Sequence, residues 1–368
     1  MNNIVLKRLP GLDGLRGLLA IGVALSHSYS HFTGWHTGYD IFHNPDYAVD
    51  IFFILSGIVL YHSYCEKIKN KSITPGGFIL TRFFRLYPLH IIAVILIPIS
   101  LYISNGVFFP EWVGQITPTN VIGDLTLTNS LGIGFIPKTN IPSWSISVEM
   151  FAGTTVLLLS CTKRYIPWLL LIAGAVLSLY LQMDVKGASQ AKIPLLSDGV
   201  LRCIYCMSAG ICAYITVMKF RGFIKKYESF FIWFVSVSLM FMMIVLFGLN
   251  LTPSIYLPLT FIVAFAIATL PLLNFDITKF LESKTLVYLG NTSFSVYIMH
   301  TPVIYLMLGF KSQNLYENVF FATLAVGITV YISKLTLKYI ELPLYNYGKS
   351  LINRKVAKTC PDNDKSPA

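Results

Sequence analysis

The sequence predicts an all-α polytopic membrane protein with about ten transmembrane helices and both termini cytoplasmic. Three observations carry that expectation. Of 368 residues, 55% are apolar and only 12% charged, roughly half the charge of a soluble domain. The apolar residues come in long blocks, and a bilayer span takes about 20 of them. The basic residues between the blocks are distributed with a strong bias to one side.

The blocks fall at approximately 15–32, 48–64, 86–104, 141–160, 165–182, 199–218, 229–249, 255–273, 286–309 and 318–340. The first is followed by more spans and lacks a small-residue cleavage site, so it does not read as a signal peptide. With the N-terminus inside, the cytoplasmic segments hold twenty of the 28 lysines and arginines, and the outer segments only Lys138, Lys186, Lys192 and Lys311. Basic loops stay inside. Orientation therefore accounts for the net charge of +11, and no nucleic-acid partner is needed. Cys203 and Cys206 form a C-x-x-C within an apolar block, with no second pair at zinc spacing. They read as small packing residues, and no metal site is expected.

Residues 1–348 form one transmembrane domain on this reading, and 349–368 a polar, disordered cytoplasmic tail. The outer loop at 105–140 is rich in Gly, Pro, Asn and Thr and is too long for a turn. It is expected to cover the outer face or dip back into the membrane.

Charge inside a bilayer is costly, so ionisable residues within the blocks are functional candidates. Arg16 and His27 are eleven residues apart in the first block. That is about three helical turns, which places them on one face about 16 Å apart. Glu149 lies in the fourth block, His300 in the ninth, and Asp50 opens the second. Counted from the span ends, His27, Glu149, His300 and Asp50 all fall in the outer half. Asp50 also suits a helix N-cap. His31, His36 and His43 are expected near the outer surface in water. Arg82 and Arg85 share a helix face at the cytoplasmic mouth of the third block, and two guanidinium groups there suit a phosphate ligand or lipid phosphate. Ser56, Ser145 and Ser147 are candidate polar linings, and Trp144 a candidate sugar platform.

Five motifs in order give the chain a resemblance. They are LPGLDGLRGLLAIGVALSH with Arg16 and His27, AVDIFFILSGIVL with Asp50, RFFRLYP with Arg82 and Arg85, PSWSISVEM ending on Glu149, and NTSFSVYIMHTP with His300, followed by YIELPL with Glu341. Together they resemble membrane acyltransferase family 3, integral-membrane O-acyltransferases that modify bacterial surface glycans and related acceptors. Ala48 stands where the family usually has Gly. The resemblance implies a bacterial inner-membrane enzyme with a cytoplasmic acyl-CoA donor, usually acetyl-CoA, as co-substrate and no bound cofactor. It implies an acceptor hydroxyl on a carbohydrate or lipid-linked sugar. With so short a segment after the last block, it also implies a form without the fused outer SGNH-type domain of some members.

The expected chemistry follows from that likeness. Arg16, Arg82 and Arg85 would bind the donor phosphates. His27 would serve as general base, oriented by Glu149 or Asp50, or else would carry the acyl group itself. His300, Trp144, Ser145 and Ser56 would line the substrate pocket. The rival reading from another class is a glycan or lipid transporter or flippase, for which intramembrane charge and many spans would also serve.

Overall fold

The computed structural model describes residues 9–34 and 43–359, with side chains as far as Ile352. Every one of the ten apolar blocks is helical. In chain order the helices are α1 (Pro10–Thr33), α2 (Pro45–Lys69), α3 (Pro75–Asn105), the short α4 (Pro118–Thr126), α5 (Ser143–Val148), α6 (Thr154–Ser160), α7 (Ile166–Tyr180), α8 (Asp198–Lys219), α9 (Arg221–Lys226), α10 (Glu228–Phe247), α11 (Pro253–Thr269), α12 (Asp276–Leu281), α13 (Lys284–Met307), α14 (Leu315–Thr336) and α15 (Leu342–Thr359). A π-helical turn, Glu149–Gly153, joins α5 to α6, and a second, Leu337–Glu341, joins α14 to α15. Among the described residues, a two-stranded hairpin (β1, Ala191–Ile193; β2, Leu196–Ser197) precedes α8. Seven helices are long and apolar enough to cross a membrane by length and composition. Helix α7, with 15 residues, is a shorter apolar helix.

Two groups of helices make the body. In one, α1 packs on α13 and α14, with α3 against α13; in the other, α2, α7 and α11 surround α8. Lipid offers no hydrophobic drive between helices, so close packing through small residues does that work. Gly17 shows it: a Cβ there would lie 2.7 Å from the backbone nitrogen of Gly290. Helices α1 and α13 run parallel through this contact. Away from the interfaces, side chains such as Trp233, Met240 and Ile244 of α10 point outward, as a lipid-facing surface requires.

The long loop at 105–140 is folded, and it returns into the bundle. Tyr87 Oη donates to Leu125 O at 2.8 Å, and His90 Nε2 lies 2.7 Å from Asp124 O. His90 is fifteen residues before the end of α3, about 22 Å down the helix. The Asp124 side chain, fully buried, organises the return. It accepts from Asn129 Nδ2 and from both the backbone and hydroxyl of Thr139. Asn140 then reaches Ile298 O on α13 at 3.3 Å. The loop thus packs against α3 and α13.

The polar C-terminal segment differs from expectation. Helix α15 runs on to Thr359, because LINRKVAK contains good helix formers and no breaker. Residues 360–368 lie outside the described residues, as does His36.

Candidate active site

Helix α1 places Arg16 beside the Gly17–Gly290 contact and carries His27 further along. The same offset of 273 residues that pairs Gly17 with Gly290 pairs His27 with His300. His27 Nδ1 lies 2.9 Å from His300 Nε2, and the ring centroids are 5.1 Å apart. His300 is buried, and its Nδ1 lies 3.3 Å from Val296 O one turn earlier. A carbonyl can only accept, so Nδ1 of His300 carries the proton and its Nε2, in the neutral ring, carries the lone pair. His27 must then donate from Nδ1, which leaves the lone pair of His27 on Nε2.

Neither expected carboxylate serves His27. Glu149 opens the π-helical turn, and its Oε1 accepts from Arg82 Nη2 at 2.7 Å and from Ser56 Oγ at 2.8 Å. Arg82, in the first turns of α3, is therefore buried in an ion pair while it also lines the large cavity. Glu149 belongs to the arginine level of the protein rather than to the outer half. Thr139 and Asn140, just ahead of the fourth block, are themselves buried, so the start of that block at 141 does not mark a surface.

Asp50 is also reassigned. Helix α2 begins five residues earlier, at Pro45, so Asp50 is not an N-cap. Its Oδ1 accepts from Arg202 Nε at 2.9 Å, with both side chains fully buried. Arg202 further donates to Gly187 O and Asp46 O, each at 2.8 Å. The same guanidinium covers the Trp144 ring, 5.0 Å from its centroid, while Phe53 meets that ring edge-on. The Trp144 ring is thus buried, with Arg202 over it and Phe53 against it. Breaking a buried pair strands a charge, at a cost of about 3–5 kcal/mol. Asp50→Ala is expected to destabilise the protein by that order, read as a lowered Tm in detergent. An Asp50→Ala protein with unchanged Tm and no catalytic turnover would instead return Asp50 to the chemistry.

A cavity of about 630 Å³ opens beside this arrangement. Arg16, Ser56, Arg82 and Arg85 line it, together with Lys67 and Lys349. Glu341, the last residue of the second π-helical turn, also faces it and accepts from Ser295 Oγ. Such π turns are often found at functional sites, and here each one presents a glutamate. A smaller pocket of about 40 Å³ shares Arg16 and Ser56 with the large one and is lined by Phe52, Ser145, Glu149 and Tyr297. Tyr297 Oη lies 2.9 Å from Ser145 Oγ and donates to Pro142 O at 3.1 Å. Its ring stands 5.9 Å from that of His300, between the small pocket and the histidines.

Of the expected site residues, the structure therefore joins His27 to His300, and Arg82 to Glu149 and Ser56, with Arg16, Arg85 and Ser145 on the cavity walls. It removes Asp50 and Trp144 to the packing around α8. His31 is not simply solvated, for its ring meets Tyr305 edge-on at 5.3 Å. His43 is exposed. Cys203 and Cys206 are buried in α8, Cys206 lying 3.3 Å from Tyr256 Oη. Sequence reasoning missed Arg202, Tyr297, Lys67 and Lys349. The aromatic two positions after Ser295, following the serine- and threonine-rich NTSFS of the ninth block, was the available signal for Tyr297.

The chain is thus a helical protein with a cationic cavity on one side of a half-buried imidazole pair. Residues 9–337 match the family described as an acyltransferase domain, and the chain belongs to that family, acyltransferase family 3. Protein 2 in the picA locus of Rhizobium radiobacter is 36% identical over 129 residues, 34% of this chain and 63% of that protein. The peptidoglycan O-acetyltransferase OatA of Listeria monocytogenes is 22% identical over 389 residues, 93% of this chain and 56% of that protein. The acyltransferase MdmB of Streptomyces mycarofaciens is 31% identical over 153 residues, 39% of this chain and 36% of that protein. The chain thus spans less than two thirds of each of these relatives.

Proposed function

We propose that this protein is a ten-span O-acyltransferase of a bacterial inner membrane, with both termini cytoplasmic. It would move an acetyl group from acetyl-CoA inside to a carbohydrate hydroxyl outside. One observation carries the reading. A single pair of parallel helices, α1 and α13, borders the cationic cavity at Arg16 and Gly290 and bears the His27–His300 pair ten or eleven residues further along, about 15 Å away. An anionic donor enters at one end, and a base waits at the other.

The residues then divide the work. Arg85 and Arg16 attract the donor pyrophosphate, while Glu149 holds Arg82 in place beside Ser56. The small pocket has room for roughly three water-sized groups, which favours acetyl over longer chains. His27 Nε2 takes the proton of the acceptor hydroxyl as its oxygen attacks the thioester carbonyl. The carbon–sulfur bond breaks, and the departing CoA thiolate recovers the proton from the imidazolium. His300 is a positioning residue: its Nε2 lone pair fixes the His27 tautomer, the part a carboxylate plays in a triad. The return of the outer loop to Ile298 puts residues 139–142 beside this pair, where they can select the acceptor.

The test is to incubate membranes holding the protein with labelled acetyl-CoA, with and without surface glycan, and follow CoA release and the ester by mass spectrometry. Acceptor-dependent release supports the reading; movement of intact glycan or lipid across the bilayer without ester formation refutes it. Arg85→Ala is expected to raise the donor KM about 10- to 100-fold, the scale of a charged hydrogen bond, with kcat nearly unchanged. An unaltered donor KM would remove Arg85 from the phosphate site.

A further inference from the structure

The cavity has two ends, and only the inner one is accounted for by the arginines. Along α2, Ser56 marks the inner end, shared with the small pocket, and Lys67 marks the rim. The eleven residues between them span about 16 Å. At the rim two tyrosines from distant parts of the chain meet: Tyr64 Oη lies 3.3 Å from Tyr345 Oη. Each carries a lysine on its ring. Lys67 Nζ is 5.5 Å from the Tyr64 centroid, and Lys349 Nζ is 4.5 Å from that of Tyr345. All four residues line the cavity, and both lysines are exposed.

This rim combines two flat faces with two mobile ammonium groups. An exposed cation–π contact is worth only about 0.5–1 kcal/mol, so each lysine can leave its ring for a phosphate at little cost. The uncovered ring then offers a stacking surface to a base. A donor whose thioester points toward the histidines places its pyrophosphate at Arg16 and Arg85. Its nucleotide end must then lie at the opposite end of the cavity. At about 630 Å³ the cavity is in the range that encloses an extended ligand rather than a lone ion.

We propose that Tyr64, Tyr345, Lys67 and Lys349 form the subsite for the 3′-phosphoadenosine end of the acyl-CoA donor, with the lysines on the 3′-phosphate and a tyrosine ring against the adenine. The proposal rests on the acyl-CoA reading above and assigns the specificity of the same site. Phosphate of an anionic lipid headgroup would present the same chemistry to the lysines, so the test must separate the two sources.

The full chain in nanodiscs of zwitterionic lipid is titrated with CoA and with 3′-dephospho-CoA, which needs no acceptor. The expected result is CoA binding about tenfold or more tighter than 3′-dephospho-CoA, the scale of one charge-assisted contact. Lys67→Ala/Lys349→Ala should bring that ratio to about one while 3′-dephospho-CoA affinity stays within about twofold. Tyr345→Leu should weaken both ligands, and Tyr345→Phe should restore them. If wild type binds both nucleotides equally, the subsite is overturned while the acyl-CoA reading stands. Binding of neither nucleotide overturns the donor reading and the subsite with it. If the ratio between the two nucleotides is the same in wild type and in the double variant, and only the wild type responds to added anionic lipid, the lysines hold lipid headgroups and the proposal fails.

Discussion

Replacing His27 by alanine is expected to lower the transfer rate by about 10²- to 10⁴-fold, the range for removal of a general base, with the protein still folded and inserted. The informative comparison is at its partner. His300→Ala removes the acceptor that His300 Nε2 presents to His27 Nδ1 at 2.9 Å, which weakens the hold on the tautomer with its lone pair on Nε2, and most of the rate should disappear. In His300→Gln the side-chain amide oxygen can accept the same hydrogen bond, so a substantial part of the rate should return. Equal loss in both variants would mean that His300 acts through its own proton chemistry. Full acylation by His27→Ala would end the base assignment altogether.

The second large effect lies at the ion pair. Glu149→Gln is expected to destabilise the protein by about 3–5 kcal/mol, because it leaves the Arg82 guanidinium buried without its counter-charge. A double variant, Glu149→Gln/Arg82→Gln, should recover part of that loss, since two neutral amides can hydrogen-bond to each other. The expected readout is a Tm depressed in each single variant and partly restored in the double. Were Glu149 instead the orienter of His27, Glu149→Gln would keep its Tm and lose only kcat. The two outcomes separate a positioning role at the donor cavity from a place in the proton relay.

These two residues also show what could be read in the sequence. Hydrophobic block length is a local property, and each block is helical in the structure. Helical spacing likewise put Arg16 and His27 on one face. Lateral neighbours are not a local property. Glu149 and His27 share an expected depth only if the fourth span starts at the membrane surface, whereas the loop before it dives beside α3 and α13 through Asp124 and Asn140. Asp50 meets Arg202 across 152 residues of chain, and an arginine near the start of an apolar block reads as an anchor at a span end. Lys67 and Lys349 carry the signature of cytoplasmic loop charges, and only the approach of α15 to α3 and α2 turns them toward a common cavity. Period and composition specify what each helix is; the pairings come from which helix lies next to which.

The offset between the two histidines has a consequence for how the protein is made. Chains emerge and fold from the N-terminus onward, and His27 waits 273 residues for its partner. Arg16, Ser56, Arg82 and Glu149 are all in place on helices synthesised before α13. A nascent or truncated chain can therefore assemble the Arg82–Glu149 ion pair before His300 is there to meet His27. Packing of α13 against Gly17 is what brings His300 to His27. Until that late step only part of the cavity wall exists, because Gly290, Glu341, Tyr345 and Lys349 arrive with α13 and the helices after it.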